Sequence, residues 1–138
     1  MTAANPSTAA APVPWLKPRP MVQELNLGEG LDVEALQAGL RALSQHSDVR
    51  AVIAFGSRAR GDAQADSDLD LAVIHKQPAL SPQEKLRAWR TYRKLLGSVP
   101  VGVDLLVSGW KDAAHLAGSR WHVMGDIARE GKVLYVAS

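Results

Sequence analysis

The residues best suited to chemistry are concentrated between positions 56 and 71. The chain there reads Gly-Ser-Arg-Ala-Arg-Gly-Asp-Ala-Gln-Ala-Asp-Ser-Asp-Leu-Asp-Leu. Runs rich in β-branched and apolar residues flank this stretch at positions 49–55 and 69–74, which predicts a polar loop between two strands. A loop that combines glycine, hydroxyl, arginine and carboxylate groups could bind phosphate or a metal ion.

Two familiar motifs do not fit this loop. A P-loop requires Lys and then Ser or Thr after its last glycine, whereas Asp62 and Ala63 follow Gly61. An EF-hand loop that starts at Asp66 requires glycine at its sixth position, where Leu71 stands. Both interpretations are therefore excluded.

Strand geometry gives a third interpretation. Side chains alternate between the two faces of a strand, so Asp68 and Asp70 lie on one face while Leu69, Leu71 and Val73 point into the core. The Cα atoms of the two aspartates are separated by two rises, about 6.6 Å. This spacing lets both carboxylates converge on shared ions.

A third carboxylate follows in the strand predicted over residues 101–107. Asp104 lies on the face opposite Val103 and Leu105, so it joins Asp68 and Asp70 if the two strands are neighbours. Two carboxylates about 4 Å apart repel by about 4 kcal/mol at an effective dielectric constant of about 20. Such a cluster favours a divalent cation, and all-oxygen ligands suit Mg²⁺ or Mn²⁺.

Gly56 and Ser57 supply a complementary feature. A strand that ends in Gly-Ser before a helix exposes backbone N–H groups and a hydroxyl to an anion. Arg58 and Arg60 could clamp the same phosphates, or serve only as counter-ions for nearby aspartates such as Asp62. The loop thus pairs a predicted anion site with a predicted cation site.

The elements around the loop alternate between helix and strand. A helix is predicted to begin after Asp32, its N-cap, and to end near His46. A capping box at residues 81–84 begins a second helix that runs to Leu96. Residues 109–130 are predicted to be mostly helical with a break near Gly118, and Trp121, Met124, Ile127 and Ala128 are expected to face inward. A last strand is predicted over residues 132–136. The predicted class is α/β (α+β), with a small mixed sheet of about four strands and helices packed on it.

Composition limits the classes of function. The 138 residues contain no cysteine, which excludes thiol nucleophiles and thiolate metal sites. The 16 basic and 14 acidic residues nearly balance, so charge gives little support for a nucleic-acid partner. No apolar run suits a membrane span, and Pro12 and Pro14 interrupt any signal-peptide core. A cytoplasmic protein is expected.

The first twenty residues differ in composition from the rest. Five of the eight prolines lie there, among Ala, Ser and Thr, and such a segment buries little apolar surface. The predicted organisation is a flexible arm over residues 1–20 and one domain over residues 21–138.

The pattern Gly56-Ser57, ten residues, then Asp68-x-Asp70, with Asp104 on a later strand, resembles the nucleotidyltransferase superfamily that includes the DNA polymerase β catalytic domain. The short chain is similar to its minimal nucleotidyltransferase (MNT) branch. The resemblance covers residues 31–136 and leaves the arm without a counterpart.

This resemblance implies a polymerase β-like nucleotidyltransferase fold and activity. It implies that Gly56 and Ser57 hold the triphosphate tail of an NTP, and that Asp68, Asp70 and Asp104 hold two Mg²⁺ ions. The implied reaction transfers a nucleoside monophosphate to an acceptor hydroxyl with release of pyrophosphate, and Asp104 could also accept the hydroxyl proton.

The resemblance also suggests an acceptor. MNT proteins resemble antitoxins paired with HEPN-domain toxins, to which they add AMP from ATP, and a domain of this size leaves little room for an acceptor pocket of its own. A HEPN-type partner protein is therefore the leading expectation. The alternatives are a nucleotide-binding module that neutralises a partner without turnover, and a dimeric enzyme that modifies a small molecule such as an aminoglycoside.

Overall fold

A mixed four-stranded sheet with helices on both faces makes up residues 13–138, the part of the chain that this computed structural model describes. The helices are α1 (Val33–Gln45), α2 (Gly56–Arg60), α3 (Pro82–Leu96), α4 (Trp110–Leu116) and α5 (Val123–Glu130). The strands are β1 (Val49–Phe55), β2 (Leu69–His75), β3 (Val103–Gly109) and β4 (Lys132–Val136). The predicted α/β class is confirmed. None of these five helices combines the length and apolar character needed to cross a membrane.

The sheet order β3-β2-β1-β4 determines which loops meet. Strand β1 is antiparallel to β2 and to β4, whereas β2 and β3 are parallel. The last residue of β1 therefore lies at the same end of the sheet as the first residues of β2 and β3. The polar loop at residues 56–68 connects β1 to β2 at that end.

Both faces of the sheet are covered along most of their length. Helices α1 and α3 contribute Leu40, Leu43 and Leu96 to one core, together with Leu71 of β2. Helices α4 and α5 pack on the opposite face of the sheet and form a second core with Ala72 and Ile74 of β2. Towards the start of β2 and β3 the cover is thinner, because Asp70 is half-buried and Asp68 and Asp104 are exposed.

The N-termini of α1 and α3 are capped by the residues that the sequence predicted. The Asp32 carboxylate accepts a hydrogen bond from the Ala35 backbone N–H at 3.1 Å. At α3, the Ser81 hydroxyl accepts from the Glu84 N–H at 3.1 Å, while the Glu84 carboxylate accepts from the Ser81 N–H at 2.9 Å. Each such cap contributes about 1 kcal/mol, which is why local sequence positions these helix starts.

Trp15 and Arg19, which lie in the segment predicted as a flexible arm, both contact the domain. Trp15 is fully buried in the second core, and Arg19 exchanges two backbone hydrogen bonds with Val136 on the edge of β4, at 2.9 and 2.8 Å. Burial of one large aromatic side chain outweighs the proline-rich composition around it. Residues 1–12, the rest of the predicted arm, lie outside the described residues.

The contribution of Trp15 can be measured directly. We expect Trp15→Ala to lower the free energy of unfolding by about 3–5 kcal/mol, because it leaves a large cavity in the core. Leu16→Ala is the matched control, since Leu16 is 53% exposed, and it should change stability by less than about 0.5 kcal/mol. Denaturant unfolding of both variants makes the comparison, and equal losses would show that residue 15 is not anchored.

The helical segment near the C-terminus is broken around Gly118, where a break was predicted. It divides into α4 and α5, and the residues between them are not helical. Met124 and Ile127 are buried as expected, but Trp121 is 89% exposed. The prediction for Trp121 was wrong because helical spacing does not extend across the break.

Candidate active site

The structure places Asp70 directly beside Asp104. The two residues are register partners on the adjacent parallel strands β2 and β3, so their Cα atoms are separated by about one strand spacing, 4.8 Å. Both side chains lie on the sheet face that carries α4 and α5, at the end where the helical cover stops. The sequence did not determine whether these two strands are neighbours, and the structure shows that β2 and β3 are adjacent.

Asp68 lies just before β2 and is fixed against the start of β3. The Leu69 backbone N–H donates to the Gly102 carbonyl at 2.8 Å, and a Cβ built on Gly102 would overlap the Asp68 carboxylate. Glycine at position 102 therefore leaves the space that this carboxylate occupies. Sequence reasoning overlooked Gly102, although a glycine two residues before Asp104 was visible.

The Gly56-Ser57 turn reaches the same carboxylates. Gly56 has a φ of +71°, and a Cβ there would overlap the Asp70 carboxylate oxygen Oδ2. Asp70 is also the register partner of Phe55, the last residue of β1. The turn predicted to bind anions and the predicted metal ligands thus form one site.

The electrostatics of Asp70 favour a cation. Burial raises the pKa of the Asp70 carboxyl above its ordinary value of 3.8, and the negative charges of Asp104 and Asp68 raise it further, while Arg60 acts in the opposite direction. Ionised Asp70 is therefore destabilised by its surroundings. A cation bound between these carboxylates would remove this cost.

Arg60 lies on the open side of the site. Its guanidinium contacts Asp62 at 3.3 Å and Glu130 at 3.8 Å, and its side chain remains 45% exposed. Its positive charge lowers the pKa of the Asp70 carboxyl, against the effect of burial and of the neighbouring acids. Both sequence interpretations of Arg60, as counter-ion and as phosphate clamp, are compatible with this position.

Arg58 does not face the site, which corrects its predicted contact with phosphate. Its side chain is 1% exposed, and all its donor nitrogens bind backbone carbonyls. The physical reason is the helix itself, because residues two apart on α2 differ by about 200° in direction. With Arg60 on the outer side, Arg58 points into the protein. The carbonyl acceptors belong to Leu27, Glu29, Gln64, Ala65 and Ser67.

The site supplies ligands suited to a hard divalent ion. Its three carboxylates come from the start of β2 and from the neighbouring strand β3, and they offer only oxygen donors, as Mg²⁺ and Mn²⁺ prefer. Within residues 13–138, however, no three acidic or histidine side chains are already close enough to hold one ion. The donor chemistry fits the metal, and the side chains would have to turn towards it on binding.

Comparison with known proteins agrees with this arrangement. A family model described as "Polymerase beta, Nucleotidyltransferase" matches residues 40–138. The match spans most of the chain, and the protein therefore belongs to the polymerase β-like nucleotidyltransferase family. It is a nucleotidyltransferase, and enzymes of this family usually use divalent metal ions. No curated protein sequence matches the chain.

Solved structures provide two further comparisons. A toxin–antitoxin crystal structure with AMP-PNP aligns at 20% identity and a TM-score of 0.46, covering 76% of this chain and 73% of that chain. A candidate nucleotidyltransferase from Sulfolobus solfataricus aligns at 18% identity and a TM-score of 0.46, covering 82% of this chain and 93% of that chain.

Proposed function

We propose that this protein transfers a nucleoside monophosphate, AMP in the leading case, from an NTP to a hydroxyl group of a partner protein. The observation that carries the proposal is the meeting of Asp70 with Asp104 and with the Gly56 turn. Family membership supports the reaction type. The resemblance to MNT antitoxins supports a HEPN-type toxin as acceptor.

The residues divide into two groups by charge. Asp68, Asp70 and Asp104 would hold two Mg²⁺ ions. Gly56 and Ser57 would receive the triphosphate through backbone N–H and hydroxyl donors, and Arg60 would add a positive charge from the open side. Arg58 is left out of this group because its donors are already occupied.

The chain's own residues would orient an in-line displacement. The acceptor oxygen forms a bond to the α-phosphorus while the bond to the bridging oxygen of pyrophosphate breaks. Bound Mg²⁺ would supply charge stabilisation to the attacking and leaving oxygens. Asp104, on the exposed side of the carboxylate cluster, can accept the proton of the hydroxyl.

Exposure of the site supports a macromolecular acceptor. Asp68 and Asp104 are both exposed in the described structure, so a hydroxyl carried on another protein's surface can approach them. The MNT resemblance adds the specific expectation of a HEPN-domain partner. A small acceptor would need a further surface to enclose it, such as a second copy of the chain.

A labelling experiment tests the proposal. The full chain is incubated with each of the four α-³²P-labelled NTPs, Mg²⁺ and a co-purified HEPN-domain protein, and the protein bands are examined for label. We expect ATP to label the partner, with one pyrophosphate released per AMP transferred. EDTA should abolish the label, because the carboxylates alone cannot bind the triphosphate.

Other outcomes would contradict parts of the proposal. Pyrophosphate release that depends on an aminoglycoside, without labelled protein, would replace the protein acceptor with a small molecule. Nucleotide binding without pyrophosphate release under any condition would show a binding module that acts by contact. Preference for another NTP would contradict the AMP assignment alone.

A further inference from the structure

The charged side chain of Arg58 is buried inside the loop that precedes Asp68. Within the described chain no carboxylate forms an ion pair with it, although its side chain is almost completely buried. Burying an unpaired charge is costly unless its donors are satisfied. Here carbonyl dipoles from two separate segments provide that compensation, in six hydrogen bonds between 2.7 and 3.3 Å.

The most informative of these bonds go to Ser67. Its carbonyl oxygen accepts from both Nε and Nη2 of Arg58, at 3.1 and 2.9 Å. This carbonyl belongs to the peptide bond that joins Ser67 to Asp68, so the guanidinium fixes the peptide plane from which the Asp68 side chain departs. The next peptide is fixed on its other side by the bond from Leu69 N–H to Gly102.

The second segment is shaped to meet the guanidinium. Nη1 donates to the carbonyls of Leu27 and Glu29 at 2.9 and 2.7 Å. Gly28 and Gly30 both have a φ of +87°, a backbone conformation that other residues rarely adopt. These glycines allow the alternate carbonyls to turn inward, and a Cβ at Gly30 would overlap the Ala65 backbone.

Arg58 is also attached to the other half of the site. It lies on α2, which begins with Gly56 and Ser57. One side chain therefore joins the turn proposed for the triphosphate to the peptide that carries Asp68. Lysine cannot replace it, because a single ammonium group cannot span carbonyls on both segments.

We propose that Arg58 is a positioning residue, which holds the Asp68 carboxylate in place for the metal by clamping the Ser67–Asp68 peptide to α2. The inference rests on the proposed function, because it assigns Asp68 to metal binding. It differs from a purely structural contribution in one respect. Loss of the clamp should weaken metal binding in a protein whose sheet remains folded.

The main test compares Arg58→Lys with the control Arg90→Lys, which makes the same replacement at an exposed position of α3. Mn²⁺ alone is the probe, and its affinity is measured by electron paramagnetic resonance. We expect Arg58→Lys to weaken Mn²⁺ binding at least tenfold, and the control to leave it unchanged. Hydrogen exchange should rise in residues 27–30 and 61–68, while the amides of β1 and β2 stay protected.

Activity gives a second readout for the same pair of variants. The transfer rate of Arg58→Lys should fall at least tenfold at low Mg²⁺ and recover in part at high Mg²⁺, because excess metal compensates for a misplaced ligand. A loss that no Mg²⁺ concentration restores, with unchanged Mn²⁺ affinity, would overturn the positioning proposal. So would wild-type affinity, rate and exchange in Arg58→Lys.

A second variant covers the case in which Arg58→Lys does not fold. Gly28→Ala keeps the guanidinium but strains the segment that binds it, and its control is Gly97→Ala, which also has positive φ but open space around the added Cβ. Weaker Mn²⁺ binding in Gly28→Ala only would support the clamp, and equal affinities would overturn it. A wild-type chain that binds Mn²⁺ but transfers no nucleotide would contradict the proposed function and leave this test intact.

Discussion

Asp70→Asn should lower kcat/KM for nucleotidyl transfer by at least about 10³-fold, equivalent to about 4 kcal/mol of lost transition-state stabilisation. Asp70 lies between Asp104, its register partner, and the Gly56 turn, so we expect it to contact both the metal and the nucleotide. Asparagine has nearly the same shape but carries no charge. Steady-state rates with purified partner protein measure the loss, and Asp68→Asn should behave in the same way.

The same variant should not destabilise the metal-free fold. Because burial and two neighbouring acids raise the pKa of Asp70 above 3.8, the folded state favours the protonated carboxyl and ionisation weakens it. This penalty is absent below the ordinary pKa and grows as the pH rises through the raised pKa. At pH 7, Asp70→Asn should therefore unfold at the same temperature as the wild type or slightly above it.

With a divalent metal present, the wild type should instead unfold at a higher temperature than Asp70→Asn. If the proposed site binds Mg²⁺ in the native state, Mg²⁺ should raise the unfolding temperature of the wild type, whereas Asp70→Asn should show a much smaller increase. Asp66→Asn is the matched control, since Asp66 is an exposed acid in the same loop, and it should keep both activity and the Mg²⁺ response. Wild-type activity in Asp68→Asn and Asp70→Asn would remove the assignment of these carboxylates as metal ligands.

The sequence was sufficient to predict the part of the site that depends on local geometry. Strand alternation placed Asp68 and Asp70 on one face, and the same rule placed Asp104 on the corresponding face of β3. Whether these faces meet depends on strand order, which is a non-local property. The sequence left that order open, and the parallel pairing of Asp70 with Asp104 in the structure establishes it.

The parts that could not be predicted depend on contacts between distant segments. Helical geometry requires Arg58 and Arg60 to point in different directions, but it does not determine which of them points inward. That choice depends on the carbonyls of Leu27 and Glu29, about thirty positions earlier in the chain. Trp15 presents the same difficulty, because its burial depends on the second core rather than on its proline-rich neighbours.

Gly56→Ala should be nearly as damaging as loss of Asp70. The added Cβ would overlap the Asp70 carboxylate, so either the turn or the carboxylate must move. Alanine also pays about 1–2 kcal/mol for a left-handed backbone conformation. We expect transfer activity to fall at least about 10²-fold and Mg²⁺ to lose most of its effect on the unfolding temperature.

Gly61→Ala separates the two causes of that loss. Gly61 has a φ of +88°, but an added Cβ there meets nothing within 4 Å. This variant therefore introduces the backbone strain without the overlap. It should lose about 1–2 kcal/mol of stability and keep most of its activity. Equal activity losses in Gly56→Ala and Gly61→Ala would show that backbone strain, rather than crowding of Asp70, explains the effect.

A double-mutant cycle tests the overlap directly, because the overlap requires both side chains. In an Asp70→Ala background the carboxylate is gone, and Gly56→Ala should then cost no more stability than Gly61→Ala does. The difference between the two backgrounds measures the coupling between Gly56 and Asp70, for which we expect about 1–3 kcal/mol. Strict additivity would mean that the turn and the carboxylate are independent, which would contradict a single site shared by nucleotide and metal.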